Sequence, residues 1–557
     1  MADASAIIAG FAQLAPDQLR AALETYLPKG SNLERVNSVE AVLRSRIGES
    51  LRETMARWIV DEIVPVEQLV PESYLKWRVP VREAMMYVVA HLSSGRLAPK
   101  LLEQIELPIS TSGESRLLRL IAKVPGLQKL GQVIARNQHL RPKLRAALAK
   151  LENGIRDVKP EDMRAAIEQG LGPLIKRFEV KIASSILSEA SVSAVVRFTW
   201  KNPETRRRER GVFKILKPHI PEYFAEDMKY LQGLAQYFGD QHHSYGFEAD
   251  LIPDTFRKVQ RLLRHEVNFR REQKTLVEAG NLYRNIPRVR VPHVIKPLCT
   301  ATITALTEEP GTKVTSAAAR LSASGRQRLA EQLVEALIAG PLFAATADAI
   351  FHGDPHAGNL LYNNRTRELT IIDWALRERL DREQRRHIAL LFLMVALRDP
   401  IGTFHQIAAL SQHQIRPNSR RGRIVRKLVS EFFNELSASH FPSGADAMRL
   451  LERAAIQGIK FPSSLIMLSK VMFTLEGILG DILGSDTAIG FTLVRQVAQH
   501  WISNRSAFRS PLLKRDWLTL QCSALLYTGR LWVQCEQTLL NRLLTRKSTS
   551  APATAQA

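Results

Sequence analysis

Two aspartates and an asparagine stand in the second half of the chain at a spacing that suits phosphoryl transfer. Asp354 and Asn359 belong to the stretch FHGDPHAGNLLY, and Asp373 follows the apolar run in LTIIDWA. Phosphoryl transfer needs one carboxylate to orient the attacking hydroxyl or water, and an Asn and a second Asp to hold Mg²⁺ against the nucleotide phosphates. Hard oxygen ligands suit Mg²⁺, whereas clustered His and Cys suit zinc. The pattern therefore predicts a site that binds a nucleotide with Mg²⁺.

The simpler interpretation is a polar loop in which Asp and Asn side chains cap turns, as they commonly do. The order of two aspartates, the asparagine and an intervening strand favours the site, because a turn requires no such order. His352 and His356 lie in the same loop. We expect their imidazoles to bond backbone groups around the loop rather than to take part in the chemistry.

A lysine on a predicted strand could supply the cation that such a site places on the phosphates. Residues 190–200 are rich in β-branched side chains, residues 201–210 form a charged turn, and residues 211–216, GVFKIL, complete a predicted hairpin with Lys214 in mid-strand. A strand lysine usually lies on a solvated face. The order of the motifs along the chain supports a phosphate-binding role for Lys214, because this lysine is followed by an acidic helix, the Asp/Asn loop and the second Asp.

The acidic helix is predicted over residues 261–279, where Glu266 and Glu272 could orient the lysine. Arginines lie beside both, so surface ion pairs worth about 0–1 kcal/mol are the alternative for whichever glutamate does not meet Lys214. The Gly-rich loop that usually cradles phosphates is missing, because Gly211 is the single glycine between residues 181 and 213. The site is therefore not that of an ordinary protein kinase.

The net charge bounds the kind of partner. Among 557 residues, 78 Lys and Arg outnumber 55 Asp and Glu, which gives a net charge of +23. This surplus predicts an anionic partner: nucleic acid, a phosphorylated ligand or an acidic membrane surface. Basic clusters occur at 206–210, 257–264 and 420–427 without a zinc-finger, RNP-like or helix-turn-helix pattern. Besides a solvated basic face, anionic lipid head groups are the expected match, and nucleic acid is not expected.

Several absences limit the class further. The three cysteines form no CxxC pair, which argues against structural zinc and a disulfide framework. The start MADAS has an acid where a signal peptide has a cation. The apolar run 388–397, IALLFLMVAL, is about half of the roughly 20 residues that span a bilayer, so we predict a buried helix there. Segment 517–532 is predicted to pack on a helical lobe, with a membrane-facing helix as the alternative. These features predict a cytoplasmic protein, with peripheral membrane attachment as a further option.

Four motifs in this order resemble the UbiB/AarF/ADCK family of atypical kinase-like proteins. Residues 129–132, KLGQ, resemble its KxGQ motif, and residues 266–272, EVNFRRE, resemble its Glu-x-Asp-Phe-x-x-Glu helix. Residues 352–359 resemble its catalytic loop, and residues 373–375, DWA, its metal-binding triplet. The resemblance covers residues 115–400. The family replaces the Gly-rich loop with an Ala-rich one, which accounts for the missing glycines.

The resemblance implies roles for the residues of the candidate site. Asp354 would be the catalytic carboxylate, and Asn359 and Asp373 would bind Mg²⁺. Lys214 would contact the phosphates of ATP, and Glu272 would pair with Lys214. The implied cofactors are therefore ATP and Mg²⁺.

It also implies a second set of contacts around the nucleotide. Ser191 falls in the segment 188–193 that resembles the Ala-rich loop over the phosphates. Lys129 and Gln132 would belong to a helical extension that folds over the active cleft and meets Glu266. In the family this extension blocks the groove that ordinary kinases use for protein substrates.

Three positions depart from the family pattern. Asn268 stands where the family usually has Asp, which would remove one acidic contact near the extension. Glu189 intrudes in the loop before the hairpin, where it would repel phosphates unless it points away. Ala375 replaces Gly at the end of the metal triplet, and Ala is costly at positive φ. We still expect nucleotide and Mg²⁺ binding, because Lys214 and the Asp/Asn set are all present.

The resemblance implies an atypical kinase or ATPase that uses ATP and Mg²⁺ to support isoprenoid quinone (ubiquinone-type) biosynthesis or membrane lipid homeostasis. Its partners would be the nucleotide and an anionic membrane surface, or a lipid or quinone precursor. A small-molecule phosphotransferase of the aminoglycoside or choline kinase type is one alternative, since its loop also has His-Gly-Asp-x-x-x-x-Asn followed by Ile-Asp-Trp. A non-catalytic, nucleotide-gated lipid-binding scaffold is the other, because binding ATP and using it need mostly the same residues.

The expected fold is α+β and mostly helical: a two-lobed protein-kinase-like fold with a helical N-terminal extension. The predicted organisation is a helical region 1–114, a KxGQ-type extension 115–180, an N-lobe 181–310, a helical C-lobe 311–545 and a disordered tail 546–557.

Overall fold

The computed structural model describes residues 18, 30–70, 72, 75, 78–108, 110–129, 158–241, 244, 251–344, 346–436, 442–484, 511–516, 518–529 and 532. The chain divides into two compact units, one comprising residues 1–270 and 295–308 and the other residues 271–294 and 309–557. Gln132 and the tail 546–557 lie outside the described residues. The five-part organisation expected from the sequence is finer than this division and stays a prediction.

The first unit begins with helices whose starts follow from local sequence. Ser31 caps the first helix, and its Oγ accepts from the Glu34 N–H while the Glu34 carboxylate accepts from the Ser31 N–H, which is a capping box. The helices bury Leu, Ile and Val side chains together in one core. The helices are α1 (Asn32–Arg44), α2 (Arg46–Trp58), α3 (Val66–Leu69), α4 (Arg78–His91), α5 (Ser94–Glu106), α6 (Gly113–Ile121), α7 (Pro160–Leu171) and α8 (Pro173–Arg177).

An antiparallel four-stranded sheet follows in the order β1-β2-β3-β5. The predicted hairpin is confirmed as β2 (Ser193–Lys201) and β3 (Arg208–Leu216), while β1 (Lys181–Glu189) was not predicted and β5 is Ile303–Thr307. Its one buried face packs on Met163 and Ile167 of α7.

Gly211 of β3 is needed by its neighbours on the sheet. It pairs with Phe198 across β2 and β3, and a Cβ at this position would lie 2.6 Å from the Phe198 ring. The single glycine of the hairpin therefore serves packing rather than phosphate binding.

The acidic helix predicted over 261–279 is two helices. Helix α9 (Ile220–Asp240) is followed by α10 (Leu251–Glu266) and α11 (Phe269–Tyr283), with a break at Val267 and Asn268. The prediction of one continuous helix was wrong, because the apolar spacing continues through the break. Asn268 directly precedes α11, and Asn is as favourable as Asp at that capping position, so its departure from the family pattern is compatible with the helix start.

The second unit contains a four-stranded sheet and a separate strand pair. The sheet order is β4-β9-β8-β6, and β7 pairs antiparallel with β10. The strand that the sequence predicts directly before Asp373 is β9. The strands are β4 (Val289–Arg290), β6 (Thr312–Lys313), β7 (Asp348–His352), β8 (Leu360–Asn363), β9 (Glu368–Ile371) and β10 (Arg377–Asp381).

Helices make up most of the rest of this unit. The apolar run 388–397 falls on the helix Arg382–Ala396 and is buried, as predicted. No helix within the described ranges has both the length and the apolar character that crossing a bilayer demands. The helices are α12 (Val314–Ala318), α13 (Ala323–Val334), α14 (Gly340–Leu342), α15 (Arg382–Ala396), α16 (Pro400–Leu410), α17 (Arg420–Glu435), α18 (Gly444–Ile456) and α19 (Ser463–Leu483).

The segment near the C-terminus packs on this unit through one side. Residues 518–529 are helical, and Leu520 and Ser523 are buried, with the Ser523 Oγ donating to Asp399 Oδ2 at 2.7 Å. Leu525 and Leu526 are exposed on the same helix. The predicted packing is confirmed, and an apolar side is left at the surface. The architecture as a whole is α+β and mostly helical, as predicted.

A buried ion pair ties the N-terminal helices of the first unit to α9. The Arg96 guanidinium on α5 lies 2.7 Å from Asp227 Oδ1, and both side chains are almost completely buried. The Gly126 N–H donates to Asp227 Oδ2 at 2.8 Å, three residues before Lys129. Burial raises the pKa of Asp227 above its ordinary value, against the pull of Arg96. The segment that leads to the KLGQ motif is therefore anchored on α9.

Asp227→Ala should destabilise the first unit strongly, because it leaves the buried Arg96 charge without this carboxylate. Removing one partner of a buried pair costs about 3–5 kcal/mol. The comparison is Glu103→Gln, which removes the exposed pair between Glu103 and Arg119 and should cost about 0–1 kcal/mol. Denaturant unfolding of both variants measures the difference, and equal losses of unfolding free energy would contradict the anchoring role.

Candidate active site

The loop after β7 holds Asp354 by its main chain. The Asp354 N–H donates to His352 Nδ1 at 3.1 Å. The Asp354 carbonyl accepts from the His356 N–H at 2.9 Å and from Asn359 Nδ2 at 3.1 Å. The loop closes with one 3₁₀ turn, Ala357–Asn359, directly before β8. These bonds fix the backbone of Asp354 before any ligand is present.

Strand register brings Asn359 and Asp373 to the same end of the β8–β9 hairpin. Leu360 pairs with Ile371, and the Ile372 N–H donates to the Asn359 carbonyl at 2.9 Å. Asn359 and Asp373 therefore flank the last paired residues of two neighbouring strands. The β8–β9 hairpin thus brings together two residues that are fourteen positions apart in the sequence.

His352 joins the two loops that carry the aspartates. Its ring is buried, and Nε2 lies 3.1 Å from the Ile372 carbonyl and 2.9 Å from the Asp373 carbonyl. Because Nδ1 accepts from the Asp354 N–H, the proton belongs on Nε2, which donates to these carbonyls. Burial lowers the pKa of His352 below its ordinary value, against the opposing effect of the Asp354 and Asp373 charges, so the neutral ring is favoured.

The predicted structural role of both histidines is confirmed by these contacts. His356 is exposed, and its Nδ1 accepts from the Gly358 N–H at 3.1 Å, which starts the short 3₁₀ turn. His352 is the more important of the two, because its bonds join segments twenty residues apart.

Trp374 anchors the metal triplet. Its side chain is fully buried, Nε1 donates to the Ile371 carbonyl at 3.1 Å, and the ring meets His352 edge-on at 5.0 Å. The backbone is left-handed at Asp373, with φ +60°. The strained position of the triplet is thus the aspartate, a residue type that tolerates this region better than most, rather than Ala375.

The carboxylate of Asp354 meets a cation that the sequence analysis missed. Lys470 Nζ on α19 donates to Asp354 Oδ1 at 2.8 Å, and the two side chains are 31% and 16% exposed. A lone lysine on an apolar helix, 116 residues further along the chain, carries no motif that would identify it. Only the packing of α19 within the second unit brings it to the loop.

The donor set fits Mg²⁺ rather than a soft metal. Asn359 uses Nδ2 for the Asp354 carbonyl, so its Oδ1 is the atom that could ligate a metal, and Asp373 could offer carboxylate oxygens. Mg²⁺ is commonly held by one or two carboxylates together with substrate phosphates. In the part of the chain that the structure describes, no group of three or more His, Cys, Asp or Glu side chains could hold a metal by itself.

Glu272 sits in the first turn of α11 and is 2% exposed. Its helix is fixed within the second unit by Arg377, whose Nε donates to Thr275 Oγ1 at 2.9 Å. The Tyr283 hydroxyl donates to the Ala336 carbonyl at 2.7 Å and fixes the other end of the same helix. Glu272 is therefore placed by the packing of the whole helix.

Lys214 belongs to the first unit. It pairs with Val195 and Thr304 across the central strands, and its Nζ lies 5.7 Å from the centre of the Phe269 ring at the start of α11. Lys214 and Glu272 fall in different units, so their pairing stays a prediction.

Glu266 accepts hydrogen bonds from two of the other predicted site residues. At the last position of α10 it accepts from Lys129 Nζ through Oε1, and from Ser191 Oγ through Oε2 at 3.3 Å. Ser191 is buried in the turn between β1 and β2. The contact between Lys129 and Glu266 is the one that the family resemblance implies. Gln132, at the other end of the KLGQ motif, lies outside the described residues.

Glu189 has its own cation, which the sequence analysis also missed. Its Oε1 accepts from the Val158 N–H at 3.3 Å and lies 4.0 Å from Nζ of the fully buried Lys217. Its carboxylate is 3% exposed. The charge expected to repel phosphates is therefore directed into the protein and offset there.

Comparison with known proteins agrees with these features. Residues 150–405 match the model of the ABC1 atypical kinase-like domain. The chain is 25% identical over 362 residues to the Arabidopsis thaliana protein named ACTIVITY OF BC1 COMPLEX KINASE 7, chloroplastic, covering 64% of this chain and 50% of that protein. It is 23% identical over 363 residues to a probable protein kinase UbiB of Pasteurella multocida, covering 63% of this chain and 67% of that one.

Two further matches complete the comparison. An uncharacterized protein of Synechocystis is 25% identical over 395 residues, which is 70% of this chain and 64% of that protein. A solved complex of a Mycobacterium tuberculosis protein with erythromycin matches 66% of this chain and 92% of that chain, with 17% identity and a TM-score of 0.43. The chain thus spans between half and two thirds of the length of the plant and Synechocystis relatives.

Glu266→Gln should loosen the contacts of Lys129 and Ser191, because a neutral amide cannot balance a lysine that is 11% exposed. Amide hydrogen exchange should become faster in residues 113–129 and in the turn 190–192. The control is Glu168→Gln, which removes an exposed pair with Arg164 in the same unit and should leave exchange in these segments unchanged. Equal protection from hydrogen exchange in the wild type and in Glu266→Gln would rule out a linking role for Glu266.

His352→Ala should destabilise the second unit, because it leaves the Asp354 N–H and two carbonyls without their ring partner. A buried polar group left unpaired costs about 1–3 kcal/mol. The matched change is His356→Ala, at an exposed ring with one local bond, which should stay within about 0.5 kcal/mol. Thermal unfolding measures both, and a His352→Ala protein as stable as His356→Ala would refute the linking role.

Proposed function

This chain belongs to the UbiB/ABC1 family through the ABC1 atypical kinase-like domain of residues 150–405, and from that premise we propose that it is an atypical kinase or ATPase that uses ATP with Mg²⁺. The chain spans only part of the length of its relatives, so the acceptor of the phosphoryl group is given only as a hydroxyl group or water. The proposed role is support of isoprenoid quinone biosynthesis or membrane lipid homeostasis at an anionic membrane surface.

The observation that carries the proposal is the bonded network of Asp354, Asn359 and Asp373. Asn359 bonds the Asp354 carbonyl, and His352 bonds both the Asp354 N–H and the Asp373 carbonyl. Three oxygen-bearing side chains with the roles that phosphoryl transfer needs are thus held on one rigid hairpin and its loop. A turn-capping role would require none of these bonds between loops.

Asn359 Oδ1 and the Asp373 carboxylate would hold the Mg²⁺, which would draw charge from the phosphate oxygens when bound. Asp354 would accept the proton of the attacking hydroxyl or water while the oxygen of that hydroxyl or water bonds to the γ-phosphorus. The bond from that phosphorus to the bridging β–γ oxygen breaks, and ADP leaves with the electron pair. Lys214 would lie on the phosphates and neutralise part of their charge. The chain's own contribution is therefore positioning and charge.

The contact of Lys129 with Glu266 supports the ABC1-type interpretation over a small-molecule phosphotransferase of the aminoglycoside or choline kinase type. That alternative has the Asp/Asn loop but lacks the KLGQ motif. The Asp/Asn loop alone would fit both, whereas a buried lysine that reaches the end of α10 fits the KxGQ extension.

Exposed basic and apolar side chains support a membrane surface as partner. Arg257, Lys258, Arg261 and Arg264 are exposed along one side of α10, opposite the buried Val259. The basic residues of the cluster 420–427 are likewise exposed on α17. Each Lys or Arg near an anionic leaflet is worth about 1 kcal/mol. In the second unit, Leu525 and Leu526 could enter the interface.

The test is ATP binding and hydrolysis by the purified chain with Mg²⁺. Asp354→Asn should keep nucleotide binding and lower hydrolysis by about 10²- to 10⁴-fold, as expected for loss of a general base. Asp373→Asn should weaken the Mg²⁺-dependent part of binding. Asp348→Asn, an exposed aspartate on β7, is the matched control and should behave as wild type.

The same assay with and without anionic liposomes examines the membrane part. Hydrolysis should rise with vesicles that contain anionic lipid and remain at its basal level with neutral vesicles. No nucleotide binding by the wild type would overturn the whole proposal, and hydrolysis indifferent to anionic vesicles would overturn only the membrane part. If Asp354→Asn keeps both ATP binding and biological activity, the scaffold function replaces the enzymatic one, whereas retained hydrolysis would overturn the role of Asp354 as the base.

A further inference from the structure

Resting on the function proposed above, we infer that Lys470 is a positioning residue of this active site, supplied by a helix beyond residue 405, where the match to the kinase-like domain ends. Its Nζ donates to Asp354 Oδ1 at 2.8 Å. The residue acts on the reaction through Asp354 rather than on the nucleotide itself.

The geometry separates what holds the backbone of Asp354 from what holds its side chain. His352, His356 and Asn359 bond its N–H and its carbonyl. The bond from Lys470 reaches the carboxylate itself. With Oδ1 held, rotation of the carboxylate about its Cβ–Cγ bond is restricted, which a base that must meet a hydroxyl proton requires.

Helix α19 is held in place by packing within the second unit. Leu468, Val471, Met472 and Leu475 of this helix are buried, and α19 packs on α13 and α18 in the same unit. The ion pair is only partly exposed, so water screens it less than it screens a surface pair.

The position of Lys470 also matches the chemistry of the step. As the proton passes to Asp354 and the new oxygen–phosphorus bond forms, the carboxylate must stay oriented while its charge falls. A charge-assisted bond to an ammonium group is among the stronger hydrogen bonds that a carboxylate can accept. Removing the ammonium should therefore lower the rate of the step and leave nucleotide binding unchanged.

The test uses Lys470→Met, which keeps the length of the stem without its charge, and Lys470→Arg, which keeps the charge. With Mg²⁺ and ATP, Lys470→Met should lower kcat for hydrolysis by about 10- to 100-fold, the scale of a misplaced catalytic group. KM for ATP and the affinity for the nucleotide should be unchanged. Lys470→Arg should recover a large part of kcat.

The matched control is Glu476→Gln on the same helix, which removes the ion pair of Glu476 with Arg449 and should leave kcat unchanged. In an Asp354→Asn background, Lys470→Met should lower kcat no further, because the group that it positions has gone. A purely structural role would lower kcat in both backgrounds and lower the thermal unfolding midpoint in parallel.

The outcomes separate this inference from the proposed function. Wild-type hydrolysis together with an unchanged or higher kcat in Lys470→Met overturns the inference alone, and so does an equal loss in the Asp354→Asn background. If Lys470→Met does not fold, Lys470→Gln is measured by the same criteria. Absence of nucleotide binding in the wild type overturns the proposed function and this inference with it.

Discussion

The buried imidazole of His352 is the link on which the rest of the second unit's site depends. One ring nitrogen accepts from the loop of Asp354 and the other donates to the carbonyls of Ile372 and Asp373. Because burial keeps the ring neutral, it can accept at one nitrogen and donate at the other. A single buried side chain thus joins the backbones of the two loops that carry the aspartates.

In the first unit, the glutamate Glu266 plays a similar linking role. Glu266 ends α10 at the break before α11, and its two oxygens take Lys129 and Ser191. Phe269, at the start of the next helix, lies beside Lys214.

Buried and exposed charges have different tasks in this basic chain. Some buried cations have carboxylate partners, such as Arg96 with Asp227 and Lys217 near Glu189, whereas the buried Arg385 donates to backbone carbonyls. The partly buried Lys470 belongs with them through Asp354. The basic residues of α10 and of the cluster on α17 are exposed instead. Packing thus places some of the 78 Lys and Arg in ion pairs that hold the structure and leaves others on surfaces suited to the proposed anionic partner.

The order and type of the residues were enough to propose the chemistry and to predict the hairpin around Lys214 and the helical character of the chain. This works because oxygen ligands, β-branched runs and apolar spacing are local properties of the sequence. Lys470, Lys217 and the break after Glu266 could not be predicted in this way. A lysine on an apolar helix has the same local pattern whether or not a carboxylate lies opposite. Only long-range packing decides which carboxylate such a lysine meets. The strand register likewise decides that Asn359 and Asp373 lie at the same end of the β8–β9 hairpin.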